Sequence, residues 1–216
     1  MNVDEARELL RELDHEPLWF RAAVMLGLLL GLRRSEVIGL RTSDLDWENH
    51  ILTVRRSATQ QTIGDRNTVT IKPYTKNRHP KTFVITDNLT DLLQKLCNEH
   101  AQNEEMFGRA YVQDWNGYLM RYKDGQLISP NALTRAFSQF ITKHGFKKVR
   151  YHDLRHSCAS ILYANGTDIM TIQEILGHAQ LTTTLMYTHK LSDRKTLALA
   201  QIDAQFLGVD KEKNEK

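Results

Sequence analysis

The chain has 216 residues, a mass of 25.0 kDa, 41% hydrophobic and 25% charged residues and a formal net charge of +3. That suits one large or two small globular domains with their own core, and 11 Gly with 4 Pro exclude collagen-like and low-complexity chains. Cys97 and Cys158, far apart and without a CxxC, argue against a zinc ribbon or disulfide framework. They suggest a reducing compartment, and the longest apolar run, Ala22 to Leu32, is shorter than the roughly 20 residues of a membrane span. With no basic-apolar leader either, the expectation is a cytoplasmic protein without membrane contact.

In chain order, Val3 to Leu13 spaces Ala6, Leu9, Leu10 and Leu13 as a helix does. Pro17 suits the first turn of a second helix that runs through the apolar stretch and ends near Gly31. Ser35 to Leu40 reads as another short helix. The period then drops to two: Ile51 to Arg56, Thr68 to Lys72 and Lys81 to Ile85 read as three strands of one small antiparallel sheet, with a turn at Gly64-Asp65. Thr86 or Asp87 caps a helix through Leu96. Ser129-Pro130 starts a helix with Leu133, Ala136, Phe137, Phe140 and Ile141 inward, and Gly145 stops it. Tyr151 to Asn165 is helical with Gly166 as its stop, and Asp168 caps a short helix ending at Gly177. The last helices cover about Thr182 to Tyr187 and Ser192 to Leu207. No linker divides the chain, so the fold class expected is mainly α with a small antiparallel β-sheet (α+β). The β insertion spans about residues 51–86, and a charged tail covers 210–216.

Charge is unevenly spread. Ile51 to Thr86 carries seven basic residues against Asp65 alone, and Arg121 to Arg155 carries eight against Asp124 and Asp153. The rest of the chain is acidic. Two concentrated basic segments suit a polyanion surface, though solvated faces carry the same pattern.

The residues able to do chemistry lie in four stretches. In "YHDLRHSCASIL", His152 and Arg155 sit at i and i+3, and Arg155 falls at the margin of the face made by Leu154, Cys158, Ile161 and Leu162. A guanidinium held there by packing presents a fixed fork to an anionic oxygen; an ordinary amphipathic surface helix has the same residues. His152 and His156 at i, i+4 also invite a metal reading, but Asp153 points to another face and acidic ligands are thin around every histidine. In "LGHAQLTTTLMYTH", His178 follows a helix-ending glycine and Tyr187 comes nine residues later. A phenol is a poor nucleophile unless the group it attacks is stripped of negative charge, so a catalytic tyrosine needs a cationic cage. Arg33 or Arg34 after the apolar helix, and Lys76 in the loop "KPYTKNRHPKTF", are cage candidates; Lys72, Arg78 and Lys81 compete with Lys76. No P-loop or GxGxxG occurs, and no cofactor is expected.

Taken in order, "GLRRSEVIGLRTSDLDW", "TKNRHPKTFVIT", "HDLRHSCASILYANG" and "IQEILGHAQLTTTLMYTH" resemble the tyrosine recombinase (phage integrase) catalytic domain, over about three quarters of the chain. The resemblance implies Arg33, Lys76, His152, Arg155 and His178 around the scissile phosphate, with Tyr187 as the nucleophile. Lys81 stays open as an alternative to Lys76, because the loop before "FVIT" is longer than usual. It implies a catalytic domain over residues 1–209, without the family's N-terminal DNA-clamping domain. The last helix of this chain, about 192–207, either packs on its own domain or, as in the resembled family, docks into a neighbouring subunit. The resemblance also implies double-stranded DNA as partner, in a tetramer on paired sites and a monomer when free. DNA backbone contacts are expected from Arg55, Arg56, Lys72, Arg78, Lys81, Lys147, Lys148 and Arg150. A type IB topoisomerase-like enzyme would use the same cage, and an idle DNA-binding module would need none of it.

Overall fold

The computed structural model describes residues 1–63, 66–76 and 78–177. The first helix, α1 (Val3–Glu12), opens with a capping box: the Asn2 side chain accepts from the Glu5 N–H at 2.8 Å, and the Glu5 carboxylate accepts from the Asn2 N–H at 3.0 Å. A 3₁₀ turn at Leu13–His15 leads to Pro17, which caps α2 (Leu18–Leu29). Apolar nearly all round, α2 is the central helix, burying Phe20, Ala22, Ala23, Val24, Leu26 and Leu28. The short α3 (Arg34–Ile38) follows.

The β region differs from the expected single sheet. One sheet orders β1 (Leu45–Asp46), β2 (Ile51–Val54) and the later β5 (Lys81–Val84) as β1-β2-β5, all antiparallel. A separate two-stranded ribbon pairs β3 (Ser57–Ile63) with β4 (Arg66–Lys72), Ser57 opposite Lys72 and Ile63 opposite Arg66. The run "SATQQTI" has no apolar alternation to mark it as a strand, so the sequence pattern paired β4 with the wrong neighbours. Gly64 and Asp65, the expected turn, lie outside the described residues. In the three-stranded sheet Leu52 faces Phe83 and Val54 faces Lys81. The side chains of Lys81 and Phe83 therefore share the face that carries the buried Leu52 and Val54, while Val84 points out to solvent.

Helix α4 (Asp87–Phe107) runs well past the expected end at Leu96, because His100 and Asn103 are buried where the apolar period lapses. His100 Nε2 lies 2.8 Å from the Leu119 carbonyl of the irregular segment that follows. That segment is built around Arg121, which donates to the Tyr118 carbonyl, the Tyr111 hydroxyl and Asn116 Oδ1 at 2.8–2.9 Å. Arg121, counted among the basic residues of its segment, is thus part of the interior. Helix α5 (Pro130–Lys143) starts as expected at Ser129, whose hydroxyl accepts from the Ala132 N–H, and buries Leu133, Phe137, Phe140 and Ile141. Helix α6 (Asp153–Ala164) packs on α2, and α7 (Ile169–Leu176) is capped by Asp168 and ended by Gly177 in the left-handed region. The Tyr151 hydroxyl donates to the Ala23 carbonyl at 2.5 Å, fixing the entry of α6 against α2. The expected helices over 182–187 and 192–207 lie outside the described residues. No helix among the described residues is long and apolar enough to cross a membrane.

Where α2 ends, Gly31 takes φ +61°, and a Cβ there would collide with Leu176 Cδ2 of α7. Gly31→Ala should lower stability by about 1–3 kcal/mol in denaturant unfolding. Gly145→Ala, at φ +68° but with nothing within 4 Å of the new Cβ, should show only the smaller backbone penalty, of about 1 kcal/mol.

Candidate functional site

At the start of α3, a reversal of the usual capping chemistry organises the first arginine. Arg33 is the N-cap residue, and Glu36, three positions on, reaches back to it. Glu36 Oε2 accepts from the Arg33 backbone N–H at 2.9 Å, and Oε1 accepts from Arg33 Nη1 at 2.9 Å. The same Oε1 accepts from Lys81 Nζ at 2.9 Å, so two cations share one carboxylate oxygen. The Glu36 side chain is 1% exposed and that of Lys81 9%, while that of Arg33 remains 19% exposed. Burial pushes the Glu36 carboxyl up, but the charge and hydrogen bonds of Lys81 and Arg33 outweigh it and hold it below the usual carboxylate range. Burial draws the Lys81 ammonium down; Glu36 opposes this, and Arg155 and Arg33, close enough to repel it, add to it.

Arg155, on α6, is 3% exposed. Its Nη1 donates to the Gly31 carbonyl at 2.6 Å and its Nη2 to the Leu176 carbonyl, so the guanidinium joins the turn after α2 to the last residue of α7. The sequence placed it at the margin of a buried face; the fold encloses it. His152, one residue before α6, stands edge-on to His156 with ring centroids 5.4 Å apart. Burial, then the neighbouring His156 and Arg155, pulls its imidazole below the ordinary histidine value, favouring the neutral form. Arg33, Arg34, Thr134, Arg150 and His152 line one depression of about 400 Å³ beside this cluster, open to solvent and basic. Fixed guanidinium and imidazole groups around such a depression can hold a phosphodiester and neutralise charge that grows on its oxygens.

The other expected residues are placed less uniformly. Lys76 is exposed on the loop between β4 and β5, next to Thr75, which is buried and whose hydroxyl donates to the His79 carbonyl at 3.1 Å. Arg56 donates to the buried Asp44 at 2.6 Å, with Arg55 3.6 Å from the same carboxylate. Arg150 holds Asp153 through its backbone N–H, Nε and Nη2 at 2.9–3.2 Å. Lys147 pairs with Glu5 at 3.3 Å, and Arg78 lies over the Tyr74 ring. Lys148 is exposed and Lys72 half-buried. His178 and Tyr187 lie outside the described residues, as does His189. Among the described residues, no group of three or more His, Cys, Asp or Glu could hold a metal ion. Sequence reasoning missed Glu36 and Asp44 as organisers of the arginines. The spacing of Glu36 three residues after Arg33 was the available signal.

The chain is similar to several known proteins. A model described as the phage integrase family matches residues 1–194. A tyrosine recombinase XerC-like protein of Caldanaerobacter subterraneus subsp. tengcongensis is 30% identical over 195 residues, covering 87% of this chain and 50% of that protein. Tyrosine recombinase XerD of Listeria innocua is 30% identical over 193 residues, covering 88% of this chain and 57% of that protein. The chain thus spans about half the length of these curated relatives. The crystal structure of XerA recombinase superposes with a TM-score of 0.66 at 27% identity, over 95% of this chain and 64% of that one. The Tn1549 transposon integrase, solved in complex with transposon right end DNA, superposes with a TM-score of 0.75 at 18% identity, over 94% of this chain and 65% of that one.

The state of His152 is open to direct measurement. Its imidazole should titrate by NMR with a midpoint below the ordinary histidine value. Because the folded pKa is the lower one, its contribution to stability is whole above the unfolded value. It is lost as pH falls through the folded one, and His152→Asn should flatten that part of the stability profile. A midpoint at or above the ordinary value would contradict the assignment.

Proposed function

The chain belongs to the phage integrase family, and from that membership together with the cluster of Arg33, Lys81, His152 and Arg155 we propose that it is the strand-cleaving and strand-joining part of a site-specific DNA recombinase. The observation that carries this is convergence: the charges of Arg33 and Arg155 act on both Lys81 and His152, and Arg33 and His152 line one basic depression. Xer recombinases among the relatives and a transposon integrase bound to DNA among the solved structures support double-stranded DNA as the substrate.

In this reading Arg33 and Arg155 bind the non-bridging oxygens of the scissile phosphate, joined by His178. The Tyr187 phenol oxygen attacks phosphorus and gives its proton to the neutral His152 imidazole. The bond from phosphorus to the 5′ oxygen breaks, and Lys76 protonates the departing oxygen. The product is a 3′-phosphotyrosyl bond and a free 5′ hydroxyl, and the phosphoester energy is kept for rejoining, so neither ATP nor a metal ion is needed. Paired DNA sites would bring further subunits together as a tetramer. A DNA substrate places the work in the cytoplasm, and integration or excision of a mobile element is the exchange that results.

Incubation with a nicked duplex carrying the target site should trap a covalent adduct, and labelled partner duplexes should exchange strands. Tyr187→Phe should abolish the adduct while leaving DNA affinity within about threefold, since the ring is kept. An adduct of normal yield in that variant would falsify the assignment. Adduct formation should persist in EDTA. Relaxation of supercoils without exchange would instead identify a topoisomerase-like activity.

A further inference from the structure

Lys81 is out of place for a residue that binds DNA. It stands on the inward face of β5, in step with the buried Phe83 and opposite the buried Val54, where the strand pattern calls for an apolar side chain. Its ammonium is turned to the carboxylate of Glu36, 45 positions away in sequence, and that carboxylate is the one that holds Arg33. A lysine already matched to a buried acid displaces no counterion from a DNA backbone. Its side chain is 9% exposed and engaged with Glu36, whereas Lys76, five residues earlier, is exposed.

We propose that Lys81 is a positioning residue: through Glu36 it holds Arg33 in a phosphate-ready state and, from the same strand, anchors the end of the loop that carries Lys76. This rests on the recombinase reading above. Two physical effects are combined. Electrostatically, Arg33 and Glu36 alone would be a closed, neutral pair, with the guanidinium satisfied by its own carboxylate. Lys81 supplies a second cation to the shared oxygen, so Arg33, Glu36 and Lys81 together retain one positive charge for the phosphate. Mechanically, β5 begins at Lys81, directly after the loop 73–80 whose turn is fixed by Thr75. The contact with α3 therefore sets where that loop starts its return. The arginine that binds the phosphate and the lysine that protonates the leaving group are held in one register, and small errors in such a register cost about 10²-fold in rate.

Single-turnover adduct formation at saturating nicked DNA tests this with Lys81→Met, Lys81→Arg, Glu36→Gln and the double variant Lys81→Met/Glu36→Gln. Lys81→Met should slow cleavage roughly 10- to 100-fold with DNA affinity within about threefold, and Lys81→Arg should stay within about tenfold of the unaltered chain. The double variant should cleave faster than Lys81→Met, because a neutral amide in place of the Glu36 carboxylate leaves the Arg33 charge to the phosphate. On a substrate with sulfur in place of the 5′ bridging oxygen, whose thiolate departs without a proton, Lys76→Met should recover fully and Lys81→Met only in part, because the misplacement of Arg33 remains. Recovery of Lys81→Met as complete as that of Lys76→Met would make Lys81 the general acid and overturn the proposal. So would a large loss of affinity with unchanged cleavage of bound DNA, which marks a phosphate contact, or a double variant no faster than Lys81→Met. If the unaltered chain forms no adduct, the recombinase reading fails by itself. The link is then read in melting temperature: non-additive shifts for Lys81→Met and Glu36→Gln uphold it, and additive shifts overturn it.

Discussion

Burying the Arg155 guanidinium obliges the fold to supply acceptors for it, because an uncompensated interior charge costs several kcal/mol or more. Among its acceptors are the carbonyl of Gly31, in the turn just after α2, and that of Leu176, which α7 leaves unpaired at its end. One side chain on α6 therefore ties the turn after α2 and the end of α7 to itself. The left-handed turn at Gly31 is part of the same arrangement, since it leaves room for Leu176 where a Cβ would stand. The approach to Arg33 runs from this junction. A preorganised cation in this fold is thus a consequence of packing rather than of local sequence, and its orientation is as firm as the core around it.

Around that junction the acidic residues act as organisers. Glu36 orders Arg33 and Lys81, Asp44 orders Arg56 and Arg55, and Asp153 orders Arg150. Counting charges along the chain treats each of these bases as available to a polyanion. In the folded chain several are matched, and the buried matches at Glu36 and Asp44 are of a different kind from exposed pairs such as Lys147 with Glu5. Exposed pairs of that sort contribute roughly 0–1 kcal/mol and yield readily to a phosphate. Buried ones fix geometry. The basic segments still mark the functional face, but as a mixture of structural and available cations.

Much of the helical framework was legible beforehand. Pro17, Ser129-Pro130 and Asp168 sit at or next to helix starts, and Gly177 ends α7, because capping depends on neighbours within about four residues. The helix α4 was cut short in that reading because His100 and Asn103 are polar residues buried by a later segment. The ribbon escaped because β3, Ser57 to Ile63, has no apolar alternation, so period-two reading found β4 but not its partner. Of the site, Arg33, His152 and Arg155 were identified in sequence, and the fold gathers them.

The sequence by itself determined where helices start, which stretches carry the basic residues and the order of the motifs that resemble an integrase, since all of these are written in spacings of a few residues. Only the tertiary structure decided which cation meets which acid. Lys76 and Lys81 are five positions apart and equivalent in composition, yet one is exposed on a loop and the other closes on Glu36. Their difference arises because Lys81 alone lies on β5, and pairing with β2 turns it to the buried face, a constraint that exists only after strands distant in sequence have met.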